Sequence, residues 1–120
     1  MMLIMPMSLI DKKISKADLL KLAQERYGDL VKAVVDVEQE IMIIGGELHA
    51  DEESLLIDQG SNQKNLWGIN LYPEKADDEF IEFDSVINLR PSQGNRSRDV
   101  LDPEVRKKIK EIIERLIGES

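Results

Sequence analysis

Residues 80–98 read FIEFDSVINLRPSQGNRSR, and the fold turns on how far this stretch runs extended and what it pairs with. Ile81, Phe83, Ser85, Ile87 and Leu89 fall on one face of an extended chain. Glu82, Asp84, Asn88 and Arg90 fall on the other, with Val86 the apolar exception. This period predicts a strand over 80–90. Pro91 has no N–H to give a ladder and ends it, and Gly94-Asn95 signals a turn. Upstream, LWGINLY at 66–72 also reads as a strand, with Trp67, Ile69 and Leu71 on one face. The short charged connection 74–79 makes the two antiparallel neighbours. That pairing places Asn70, Asp84, Asn88 and Arg90 on one side of the sheet, as an internal hydrogen-bond network or as the floor of a pocket.

Beyond the strand, Arg90, Arg96 and Arg98 are interleaved with Ser92, Gln93, Asn95 and Ser97, and the next carboxylate is Asp99. Guanidinium forks on a glycine-bearing loop suit a carboxylate or a phosphate. In one reading the three arginines clamp an anion, with Ser92, Gln93 and Asn95 as orienting donors and acceptors. In the other they are a solvated loop paired with the chain's own carboxylates.

The rest of the chain supplies the scaffold. Ser15 caps a helix expected over 16–27, with Leu19, Leu20, Leu22, Ala23 and Tyr27 on its apolar face and Gly28 at its end. LVKAVVDV at 30–37 reads as a strand, and the adjacent Val34 and Val35 imply cover on both sheet faces. Residues 41–44 form a second apolar run, close enough for a hairpin. Asp102-Pro103-Glu104 starts a second long helix, whose Val105, Ile109, Ile112, Ile113, Leu116 and Ile117 follow a helical stripe. Glu104/Lys108, Lys107/Glu111 and Glu111/Arg115 are expected ion pairs along its outer side. Its stripe packs on the sheet or on a partner helix.

Between strand and helix lies GELHADEESLLIDQGS, starting at Gly46. A short helix is expected from an N-cap at Asp51. If the chain ahead of it is extended, Glu47, His49 and Asp51 share a face. That trio suggests a metal site or a histidine acid/base oriented by a carboxylate. The alternative is a histidine bonded for structural reasons.

Composition narrows the field. The chain has 120 residues, 42% hydrophobic and 33% charged, with formal net charge −8, one histidine and no cysteine. It is expected to be a single domain over 1–120. Its acidity argues against non-specific binding to nucleic acid. The missing cysteines remove thiolate chemistry, and the lone histidine removes multi-histidine metal sites from one chain. The opening MMLIMPMSLI is short, lacks a basic flank and contains Pro6, so it reads as neither a signal peptide nor a membrane span; 1–14 is expected to be an edge strand or a flexible end.

Three blocks carry a resemblance: GDLVKAVVDVEQEIMIIGGELHADEESLL (28–56), GSNQKNLWGINLYPE (60–74) and FDSVINLRPSQGNRSRDVLDPEVRKKI (83–109). Together they resemble a family of short prokaryotic proteins catalogued as a domain of unknown function. The resemblance implies a prokaryotic, cytoplasmic protein and carries over no catalytic residue and no cofactor.

The expected fold is α+β: an antiparallel sheet of about three to five strands, with two longer helices and one short helix packed mainly on one face. Three functional classes follow. The first is a binding module for a small anionic ligand or an acidic partner segment, through the arginine loop. The second is a hydrolase or other acid/base enzyme using His49 with Glu47 or Asp51. The third is a homodimeric structural or regulatory protein.

Overall fold

The computed structural model describes residues 7–118 of the chain. In order, it contains β1 (Ser8–Ile10), β2 (Ile14–Ser15), α1 (Lys16–Arg26), β3 (Val31–Asp36), β4 (Ile41–Ile44), α2 (His49–Asp58), β5 (Leu66–Leu71), β6 (Ile81–Glu82), α3 (Pro103–Leu116) and β7 (Ile117–Gly118). Five strands make one sheet in the order β1-β4-β3-β5-β6, every neighbour antiparallel. This is the expected α+β class. Of the segment 1–14, residues 8–10 form the edge strand β1; residues 1–6 lie outside the described residues.

Local chemistry explains the elements. The Ser15 hydroxyl accepts from the Asp18 N–H at 3.0 Å, and Asp102 caps α3 by accepting from the Glu104 N–H at 2.9 Å, with Pro103 at the first helical position. Gly28, at φ +95°, lets α1 end by returning its N–H to the Ala23 carbonyl. The β3–β4 hairpin is held by Asp36, a buried carboxylate whose two oxygens accept from Glu38 N, Gln39 N, Gln39 Nε2 and Ser61 Oγ.

Strand alternation divides the core. Val31, Ala33 and Val35 join Met42, Ile44, Trp67, Ile69 and Leu71 on the face covered by α1 and α3, through Leu19, Ala23, Ile109, Ile112, Ile113 and Leu116. Val34, Ile43 and Leu66 face the other way and meet Leu56 of the short helix α2. Val34 and Val35 are both fully buried, so both sheet faces are covered there. A two-stranded parallel ladder, β2 with β7, ties the start of α1 to the end of α3 through Ile14–Ile117 and Ser15–Gly118.

Four expectations are corrected. The strand over 80–90 is only Ile81–Glu82; the chain then leaves the ladder and forms a 3-10 turn at Val86–Asn88. Tyr27 is not on the apolar face of α1 but exposed at its end. The α3 ion pairs do not run along the helix, since Lys108 and Arg115 reach Glu40 in the β3–β4 turn instead. The segment from Glu47 to Asp51 is not extended, because α2 begins at His49 behind Leu48.

The reason β6 stops early is visible at Gly68. Its backbone would face the next residues of a longer β6. Instead the Asn88 side chain accepts from the Gly68 N–H at 2.8 Å and donates to the Gly68 carbonyl at 2.9 Å. The carboxamide thus supplies the donor and acceptor of a strand residue. Gly68 also admits the crossing chain: a Cβ there would stand 2.6 Å from Ser85 Cβ and Oγ.

Candidate functional site

The loop after Asn88 is built around Asn95. Its backbone exchanges both hydrogen bonds with Arg90, closing a small bridge. Its buried side chain donates to the carbonyls of Asn88, Ser97 and Asp99, and accepts from the Leu101 N–H at 2.9 Å. Gly94, at φ +79°, makes the turn. Asn95 and Asn88 therefore spend their polar groups on backbone, and the loop has a fixed shape.

The three arginines have three different fates. Arg98 donates to Asp84 Oδ1 at 2.6 Å, and both side chains are about half exposed. Arg90 folds back, lays its guanidinium 4.0 Å from the Trp67 ring centroid, and donates to the carbonyls of Gln63 and Leu66. Its Nε is buried with no partner, and burial lowers its pKa. Among the described residues no carboxylate lies within ion-pair distance of Arg90. Arg96 is exposed and takes part in no hydrogen bond or ion pair among the described residues.

Beside this loop is a hollow of about 420 Å³. Gln93, Gly94 and Asn95 form one wall, Lys64 and Trp67 another, and Asp102 and Val105 at the start of α3 a third. Gln93 braces the wall by donating to the Lys64 carbonyl at 3.1 Å. Ser92 is exposed on the 3-10 turn Pro91–Gln93. Sequence reasoning missed Lys64, which lies between α2 and β5. It also missed Arg106, which pairs with Asp99 at 2.6 Å and lies 4.2 Å from the Phe83 ring centroid, steadying the loop from α3.

A second polar group lies on the α2 side of the sheet. Asn70 donates to Glu82 Oε1 at 2.8 Å and to the Asp84 carbonyl at 3.4 Å, while Tyr72 donates to Glu82 Oε1 at 3.1 Å. Lys32 stands opposite Asn70 in the β3–β5 register. The structure thus brings Asn70, Asp84, Asn88 and Arg98 into one neighbourhood. Arg90 departs from the expected group, because it turns to Trp67 on the opposite face.

His49 joins this neighbourhood in part. Its Nε2 donates to the Ile69 carbonyl at 2.7 Å, and a carbonyl only accepts, so this nitrogen carries the proton. Burial lowers its pKa, the Ile69 bond partly opposes that, and Lys32, Asp84 and Arg98 are the charges acting on it. Its expected carboxylate partners do not converge on it. Glu47 pairs with Arg26 at 3.2 Å, and Asp51 is exposed two residues along the helix, on a different face. No group of three or more histidine, aspartate or glutamate side chains suited to a metal ion occurs among the described residues. No helix among them is long and apolar enough to cross a membrane.

A family model matches residues 8–116, nearly the whole of the described fold. The chain belongs to that family. Its description is "Protein of unknown function (DUF5674)". No curated protein and no solved structure matches the chain. Membership in the DUF5674 family covers all of the sheet, the arginine loop and α3 up to Leu116, and it assigns no reaction to any of them.

Proposed function

We propose that this DUF5674 protein is a small binding module, and that it takes a small anion, a carboxylate or a phosphate, in the hollow beside the arginine loop. The observation that carries this reading is a local excess of unneutralised cations. Lys64 lines the hollow, Arg90 lies against Trp67 in its wall and Arg96 follows Asn95 of its wall in the chain; none of the three has a carboxylate partner among the described residues, in a chain of net charge −8. Partly buried positive charge lacking a counter-ion is stabilised by an incoming anion. Asp102 opposes this, but its carboxylate is engaged as the cap of α3. Arg98 is excluded from the clamp because Asp84 neutralises it.

The test is a thermal-shift series in phosphate, citrate and acetate against chloride at matched ionic strength. A saturable rise of about 2–5 °C is expected, lost in the double variant Lys64→Ala/Arg96→Ala and kept in Arg98→Ala. No saturable rise, or an equal rise in the double variant, overturns the reading. An acid/base enzyme at His49 is the weaker proposal, since its proton is committed to the Ile69 carbonyl and no carboxylate orients its other nitrogen.

A further inference from the structure

A larger cavity, about 560 Å³, opens where the start of α1, the last turns of α3, β7 and the segment leading into β6 meet. It shares no residue with the hollow beside the arginine loop. Its volume lies within the ~300–1,000 Å³ of small-molecule sites. Its floor is apolar: Phe80, Ile113 and Ile117 are core residues whose edges reach the opening.

Charge is arranged around that floor in an unusual way. Lys13, Lys16 and Lys110 line the cavity, and none of them has an ion pair or a side-chain hydrogen bond among the described residues. Lys16 Nζ instead lies 5.2 Å from the Phe80 ring centroid. The Lys13 stem crosses Gly118 so closely that a Cβ there would be 2.6 Å from Lys13 Cδ. The missing side chain at Gly118 is what gives Lys13 its place on the wall. Asp77, Asp78 and Glu114 also line the cavity, and they too have no ion pair among the described residues. Lys110 and Glu114 are four residues apart on α3, a spacing that allows an ion pair, yet they do not form one.

Separated charges of both signs over an apolar floor match a ligand that carries both signs itself. A fatty anion would satisfy the lysines and be repelled by the aspartates; a purely cationic ligand would meet the reverse. A free amino acid satisfies both signs but fills little of a cavity of about 560 Å³. We propose that this cavity is a second binding site, and that its occupant is a short apolar peptide with free ends, a dipeptide or tripeptide zwitterion. Its carboxylate meets the lysines, its ammonium meets Asp77, Asp78 and Glu114, and its side chains lie on Phe80, Ile113 and Ile117.

The test is isothermal titration of the full chain with dileucine, N-acetyl-dileucine, dileucine amide and octanoate. Saturable binding of dileucine is expected, with both capped peptides and octanoate weaker by about tenfold or more. Lys110→Ala and Asp78→Ala are each expected to lower dileucine affinity about fivefold or more, while Lys107→Ala, exposed elsewhere on α3, leaves it unchanged. Melting curves of the three variants are compared first, so that loss of fold is distinguished from loss of binding. No saturable heat up to about 10 mM dileucine overturns the proposal. So does equal binding of the capped peptides or octanoate, or unchanged affinity in folded Lys110→Ala and Asp78→Ala.

Discussion

Asn88 stands to Gly68 as a neighbouring strand would: its carboxamide takes the Gly68 N–H at 2.8 Å and gives to the Gly68 carbonyl at 2.9 Å. The same amide donates to the Arg98 carbonyl at 2.9 Å, so one buried side chain joins the sheet to both ends of the arginine loop. Replacing it strands the buried N–H and carbonyl of Gly68, while the Arg98 carbonyl keeps the Ser85 N–H. Asn88→Ala is expected to cost about 3 kcal/mol, since each unsatisfied buried group costs roughly 1–3 kcal/mol. Asn88→Asp is expected to be no better, because an ionised carboxylate faces two carbonyls. Urea unfolding measures both; a loss below about 1 kcal/mol for each removes the strand-substitute role.

Gly68 and Ser85 make a paired prediction. A Cβ at Gly68 would meet Ser85 at 2.6 Å. Gly68→Ala is therefore expected to destabilise by about 1–3 kcal/mol, as overpacking does. Adding Ser85→Gly is expected to recover part of that loss, despite the glycine's own cost. A double-mutant cycle with no coupling would place the clash elsewhere.

Glu52 predicts a pH dependence. The side chain is fully buried, its Oε2 accepts from the Gly46 N–H at 2.9 Å, and its Oε1 has no partner. Desolvation pushes its pKa up to about 9, against the opposing pull of the Gly46 N–H and of Lys32. The unfolded carboxyl titrates near ~4.3. Below that value both states hold the proton and the contribution is complete. Between there and about 9 the folded state holds more protons than the unfolded one, so stability falls as pH rises. The slope from this group is at most about 1.4 kcal/mol per pH unit. Glu52→Gln is expected to flatten the profile and to exceed the parent in stability at pH 8. Denaturation at pH 5, 7 and 9 is the measurement, and parallel profiles for the two proteins would contradict it.

Arg90 and Trp67 offer an optical check, because Trp67 is the sole tryptophan. Arg90→Lys keeps the charge but cannot lie flat on the indole while reaching two carbonyls. A loss of about 1–2 kcal/mol is expected, with a red shift of Trp67 emission that is larger in Arg90→Ala. Unchanged emission in both variants would mean the stacking is absent in solution.

Much of the scaffold was legible because its signals are local. Ser15 and Asp102-Pro103 announce their helices by the hydrogen bonds they make within three residues, and the β-branched richness of 30–37, with Val34 and Val35 adjacent, shows in the sequence itself. Residues 83–90 misled because their alternation resembles that of a strand, while what replaces the strand is a single carboxamide bonding across 20 residues of chain. No local pattern distinguishes Asn88 from a solvated asparagine. The short helix was expected, but its start was placed too late, at an Asp51 cap, for the opposite reason: Leu48 at its true N-cap makes no side-chain hydrogen bond, so nothing marks the start. The arginine loop was found by composition, but which arginine would fold onto Trp67, and that Lys64 and Arg106 would join it, depends on contacts far apart in sequence.

The parallel ladder between β2 and β7 has a consequence for biosynthesis. Ile14 finds its partner only at Ile117, so that ladder stays open while the ribosome is still making the residues between them. The seam joining the entry of α1 to the exit of α3 therefore closes only once β7 has emerged, and a stalled nascent chain lacking β7 would display the flank of Ile14 unsealed.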